Sequence, residues 1–166
     1  MNFLKLLLYS FIITLTSCYV NTTKTVHTPV LGEPLNKKPL FAEMQIAKTI
    51  KIGEPMLLKF TVYNQADSTQ QFCKWHTPFE PLLSKYLEIK DEQGVEMLYR
   101  GAMAKRIMPP PAESYIMVNK KDSVSATVDL LKAFAITRPS KYTITYTGQD
   151  MSGVLVTKSA VFVYGR

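Results

Sequence analysis

From Leu40 onward, apolar residues recur at every second position in short runs, and turn-forming residues separate the runs. The alternation is cleanest where Val124, Ala126, Val128 and Leu130 interleave with Ser123, Ser125, Thr127 and Asp129. A period of two sends these two sets to opposite faces of a strand. Leu58, Phe60 and Val62 alternate in the same way with Lys59, Thr61 and Tyr63, and a polar turn follows over residues 64–68. Further strands are predicted over residues 44–48, 71–76, 115–118, 141–147 and 154–164. Gly53-Glu54-Pro55 closes the first of them. Residues 86–99 read as a hairpin turning at 91–94, where Gly94 can take the positive φ of a tight connection. Pro109-Pro110-Pro111 cannot lie in a central strand and marks a crossing between sheets. Residues 131–136 are ambiguous and can form one helical turn.

Several short strands at this spacing, with few helical patterns, predict an all-β fold: an immunoglobulin-like antiparallel β-sandwich over residues 40–166. Tyr142 stands two positions before the inward-pointing Ile144, near the start of the penultimate strand. That is the place of a tyrosine corner, whose hydroxyl bonds back to the main chain. An ordinary amphipathic strand would put a tyrosine there equally well.

The amino terminus follows a different pattern. One positive residue, Lys5, precedes an almost wholly apolar run over residues 6–15, then Thr16, Ser17 and Cys18. This is the order of a secretory signal. The run is half the roughly 20 residues a helix needs to cross a bilayer, so a permanent span is not expected. Leu15-Thr16-Ser17-Cys18 resembles a bacterial lipobox. The resemblance implies a signal peptide over residues 1–17, cleavage after Ser17 and lipid on Cys18; the other reading is an ordinary signal peptide with a chance cysteine. Residues 18–39 carry Pro29, Gly32, Pro34 and Pro39 with no sustained period, and read as a lipidated tether spanning about 25 Å. Tyr19 replaces the aspartate that is the familiar inner-membrane retention signal, which favours the outer membrane of a Gram-negative envelope.

Charge and cysteines narrow the function. The formal charge is +7 and falls to about +6 when Lys5 leaves with the signal. The basic residues are scattered, so anionic lipid or an acidic partner is expected and nucleic acid is not. With Cys18 lipidated, Cys73 has no disulfide partner; beside Phe72 and Trp75 it reads as a buried apolar cysteine. There is no His-Glu-x-x-His, no Gly-x-Ser-x-Gly and no glycine-rich phosphate loop. Cys73 and His76 lie three apart, on opposite faces of a strand, which spoils a thiol–imidazole pair. They also lack the further ligands of a closed zinc site. Glu88, Asp91, Glu92 and Glu96 cluster around the hairpin and read as a solvated face rather than paired acids. No catalytic residue, metal or cofactor is expected.

Trp75-His76-Thr77-Pro78-Phe79-Glu80 is the unusual stretch, with the only tryptophan and the domain's only histidine. Loop aromatics beside polar groups suit either an interface anchor or a lid on the sandwich edge. With Lys74 ahead of it, the stretch resembles the Lys-Trp-His-Thr-Pro-Phe-Glu segment in the pro-region of bacterial peptidyl-Lys metalloendopeptidases, the deuterolysin-like zinc proteases. Phe60-Thr61-Val62-Tyr63-Asn64, Tyr99-Arg100-Gly101 with Lys105-Arg106, residues 123–130 and residues 142–148 match in the same order. The resemblance spans about residues 41–148. It implies a free-standing pro-region-like module, since the catalytic zinc helix is expected to be absent and no catalytic residue carries over. Pro81 stands where the family commonly has glycine. The expectation is therefore a lipid-anchored envelope module, not an enzyme, that binds or inhibits a metalloprotease through residues 75–80. The alternative is a structural or adaptor lipoprotein with a non-protease partner.

Overall fold

The computed structural model describes residues 39–166. The lipidation at Cys18, the signal peptide and all of the tether but Pro39 lie outside the described residues. The domain is built from β1 (Leu40–Gln45), β2 (Thr49–Lys51), β3 (Leu57–Asn64), β4 (Gln70–Cys73), β5 (Leu87–Asp91), β6 (Tyr115–Val118), β7 (Ser123–Asp129), β8 (Ser140–Tyr146) and β9 (Ala160–Gly165). Among the described residues one short α-helix, α1, covers Gln149–Ser152. One sheet runs β1-β3-β7, the second β2-β9-β8-β5, and β4 pairs with β6 as a two-stranded ribbon. All pairings are antiparallel except β2 with β9. This is the immunoglobulin-like sandwich that the alternation predicts.

The inward sets meet as expected. Leu58, Phe60 and Val62 of β3 face Leu87 and Ile89 of β5, Ile144 of β8 and Phe162 of β9 in one buried core. Burying a side chain of this size contributes about 1.5–3 kcal/mol. Tyr142 is buried and stacks on Phe162 at 5.3 Å between ring centres. Its hydroxyl donates to the Arg138 carbonyl at 2.7 Å, which makes it a tyrosine corner.

Four local expectations are corrected. The first strand begins at Leu40, not Met44, and the chain then switches sheets so that Thr49–Lys51 runs parallel to β9. The hairpin turn forms, with the Val95 carbonyl accepting from Asp91 N–H at 3.0 Å and Gly94 at φ 82°. Its return arm is not a regular strand, however: it bridges β5 only at Lys90–Glu96 and then turns to residues 133–135, where Ala135 N–H donates to the Leu98 carbonyl and Arg100 N–H to the Ala133 carbonyl. The strand expected over 71–76 stops at Cys73. The last strand begins at Ala160, since residues 149–152 coil into α1 and Leu155 only bridges to Phe41. The ambiguous segment after Asp129 is one 3-10 turn, Leu130–Lys132, capped by the Asp129 carboxylate. Among the described residues, no helix is long and apolar enough to cross a membrane.

Candidate functional site

After β4 the chain cannot continue extended, because His76 takes a left-handed φ of 58°. The following turn is tied locally: the Thr77 hydroxyl donates to the Lys74 carbonyl and accepts from Phe79 N–H, and Glu80 N–H donates to the Thr77 carbonyl. The loop thus closes on itself and carries Glu80 to its centre. Trp75, Thr77, Pro78 and Glu80 are buried, while His76 and Phe79 remain half-exposed.

Glu80 is the hub. Its Oε1 accepts from His76 N–H at 3.0 Å and from the Ser84 hydroxyl at 3.3 Å. Arg106 Nη2 lies 2.7 Å from both carboxylate oxygens. The same guanidinium sits 4.7 Å above the centre of the Trp75 ring, a cation–π contact. A carboxylate with only 4% side-chain exposure needs such pairing, because an unpaired buried charge is costly. The sequence placed Arg106 only in a basic pair and in the family pattern. Its role as the partner of Glu80 had no local signal, since the two lie 26 positions apart.

A second set of residues buttresses the loop from below. Tyr146 Oη lies 3.0 Å from the His76 carbonyl, to which it donates, and 2.7 Å from Ser152 Oγ. Ser152 in turn accepts from Val154 N–H at 3.1 Å. Gly148 leaves the space this requires, for a Cβ there would collide with the His76 carbonyl and the Tyr146 hydroxyl. Neither Tyr146 nor Gly148 is separable from an ordinary strand end in the sequence.

The electrostatics oppose nucleophilic chemistry. Burial pushes the Cys73 thiol above its ordinary range, so the thiolate is disfavoured. Burial also lowers His76, against the pull of the Glu80 carboxylate, so the imidazole is neutral at pH 7. Among the described residues, no group of three or more His, Cys, Asp or Glu side chains could hold a metal ion. Three of the four hairpin acids are separately occupied. Asp91 accepts from Gln93 and Val95 N–H, Glu88 pairs with Lys90 at 2.8 Å, and Glu96 pairs with Lys85.

On its outer side the loop borders an open groove of about 520 Å³. Phe79, Pro81 and Leu82 form one wall, and Thr127, Val128 and Lys132 contribute to the other. Phe79 is held there by edge-to-face contact with Phe72 at 5.2 Å. Three of the expected contact residues, Pro78, Phe79 and Glu80, therefore line the groove, whereas Trp75 and Thr77 brace it from inside.

An uncharacterized secreted protein of Arthroderma benhamiae is 29% identical over 103 residues, covering 59% of this chain and 53% of that protein. The chain thus spans about half the length of the curated relative it matches. Among solved structures, an alkylpurine DNA glycosylase of Pseudomonas fluorescens bound to DNA containing an abasic site analog overlaps 77% of this chain and 31% of its own, at 13% identity and a TM-score of 0.37. A β-glucosidase of Listeria innocua in complex with gluconolactone overlaps 76% of this chain and 16% of its own, at 10% identity and a TM-score of 0.39. The family model of the immunoglobulin-like domain matches residues 43–161. This chain belongs to the immunoglobulin-like domain family.

Proposed function

We propose that this chain is an exported, non-catalytic protein-binding module, held at the cell envelope by lipid on Cys18. Its contact surface is built on residues 75–80, and its partner is a metalloprotease that it binds or inhibits. The carrying observation is the braced loop: Glu80 and Arg106 fix a turn that holds Phe79 half-exposed beside an open groove. Rigid aromatic anchors in such settings bind at low entropic cost. The resemblance to the protease pro-region supports the choice of partner, because pro-regions cover or chaperone their catalytic domains. The buried, protonated Cys73 and the neutral His76 support a module without chemistry of its own. Tyr19 after the lipidated cysteine supports the outer membrane as the address.

A second reading, a structural or adaptor lipoprotein with a non-protease partner, is favoured by one observation. Trp75, Thr77 and Glu80 are buried, which ties much of the motif to the fold itself. Titrating the full chain into a deuterolysin-like protease separates the two. Saturable binding in the micromolar range or tighter, with loss of proteolysis, is expected. Neither binding nor inhibition at that concentration would overturn the protease partner.

A further inference from the structure

We propose that the free edge of β7 and the adjoining shelf of Phe79 and Leu82 bind an extended, acidic segment of the partner protein as an added strand. Among the described residues β7 is paired on one side only, with β3. Its hydrogen-bonding phase follows from the two ends of that pairing. Leu130 N–H donates to the Met56 carbonyl at 2.9 Å, and Asn64 N–H donates to the Asp122 carbonyl at 2.9 Å. Bonded and non-bonded pairs alternate along an antiparallel ladder. In the observed register, Val128, Ala126 and Val124 therefore bond to Leu58, Phe60 and Val62. The N–H and C=O groups of Ser125 and Thr127 point the other way, off the sheet.

Edge strands are ordinarily blunted by charge, proline or brevity. β7 has no proline and is seven residues long, and its one charged residue, Asp129, stands at its end and is hydrogen-bonded to Met56 and Leu131 N–H; its outward side chains Ser123, Ser125 and Thr127 are small, uncharged and exposed. The other long edges differ. β1 receives Leu155, whose carbonyl accepts from Ala42 N–H, and β5 is flanked by the return arm, where Met97 N–H reaches the Ile89 carbonyl.

The surroundings of β7 specify what would lie there. On the inner side of the edge, Val128, Phe79 and Leu82 are half-exposed apolar groups lining the groove. On the outer side, Lys59 stands directly opposite Thr127, and Lys132 closes the groove. Both ammonium groups are exposed, and neither forms an ion pair among the described residues. Two carboxylates also line the groove: Glu80, neutralised by Arg106, and Asp129, which accepts from Met56 and Leu131 N–H but keeps its charge, so Lys59 and Lys132 leave the edge net positive by one. A segment of period two, apolar toward Phe79 and acidic toward Lys59, would satisfy the open ladder, the shelf and the charge together.

This mode of binding rests on the protein-binding reading above, and the test keeps the two apart. The probe is a fluorescent octapeptide alternating valine and glutamate, measured by anisotropy against the full chain. It is expected to bind at least about tenfold more tightly than peptides alternating valine with lysine or serine with glutamate. Thr127→Pro removes an outward N–H while sparing every bond to β3, and should weaken binding by about tenfold or more. If that variant melts early, the paired surface change Lys59→Glu with Lys132→Glu serves instead, and should abolish the preference for glutamate. Equal binding to wild type and Thr127→Pro, or no binding at millimolar peptide, overturns the added strand. A protease that binds Thr127→Pro as well as wild type would also overturn it while leaving the protein-binding reading intact. Peptide binding without protease binding would do the reverse. A wild-type dimer that Thr127→Pro dissociates would make a second copy the occupant, and would overturn the partner segment.

Discussion

Arg106 grips Glu80 with one nitrogen 2.7 Å from both carboxylate oxygens, while the same guanidinium covers the Trp75 ring. The contact joins the loop after β4 to the long connection before β6. It is also the only ion pair of the described residues whose carboxylate is buried.

Breaking this pair from one side should therefore be severe. Glu80→Ala strands a guanidinium and frees His76 N–H, and is expected to cost about 3–5 kcal/mol in urea unfolding. Arg106→Met should cost a similar amount. The double variant should lose less than the sum of the two, and additive losses would show that the residues are not coupled.

Two buried tyrosines should respond oppositely to loss of the hydroxyl. The hydroxyl of Tyr142 is satisfied by the Arg138 carbonyl, so Tyr142→Phe is expected to cost about 1 kcal/mol. That of Tyr86 is buried without a hydrogen-bond partner among the described residues, and burial next to Glu80 drives its pKa far upward. Tyr86→Phe should be neutral or stabilising in the same denaturation assay.

Gly148→Ala tests the buttress beneath the loop. The added methyl would strike the His76 carbonyl and the Tyr146 hydroxyl, so one of them must move. A loss of about 1–3 kcal/mol is expected, with protection of the His76 region from hydrogen exchange reduced more than that of the β3–β7 ladder. Unchanged protection at the loop would dissociate Gly148 from it.

His76 should make the fold sensitive to mild acid. Its pKa is lower folded than unfolded, first by burial, with Glu80 pulling the other way. In the window below about 6.5 the unfolded chain binds more protons, so stability rises with pH. Its contribution is complete above that value and is lost as pH falls toward the folded pKa. Melting temperatures between pH 7.5 and 5 should fall more steeply for wild type than for His76→Gln. Parallel curves would assign the acid sensitivity elsewhere.

Much of the sandwich was legible because alternation sorts residues between faces without reference to any partner. Leu58, Phe60 and Val62 are buried as their spacing predicts, and Tyr142 with Ile144 located the tyrosine corner. The errors fall where two pairings compete. Residues 95–99 have the local credentials of a return strand, yet beyond Met97 they leave β5 for residues 133–135, to which Leu98 and Arg100 are hydrogen-bonded. The 75–80 stretch stood out by composition alone. Which of its residues face outward depends on Arg106, Tyr146 and Gly148, which reach it from other elements.

The order of apolar and polar residues by itself determined an all-β chain, the faces of its strands and the position of its unusual loop, because these depend on periods of a few residues. Tertiary structure alone decided that Thr49–Lys51 crosses to the second sheet, that Arg106 neutralises Glu80, and that β7 is left with an open edge beside Phe79. Each of these is a choice between distant partners, settled by which pairing buries the most apolar surface and leaves the fewest charges and backbone groups unmatched.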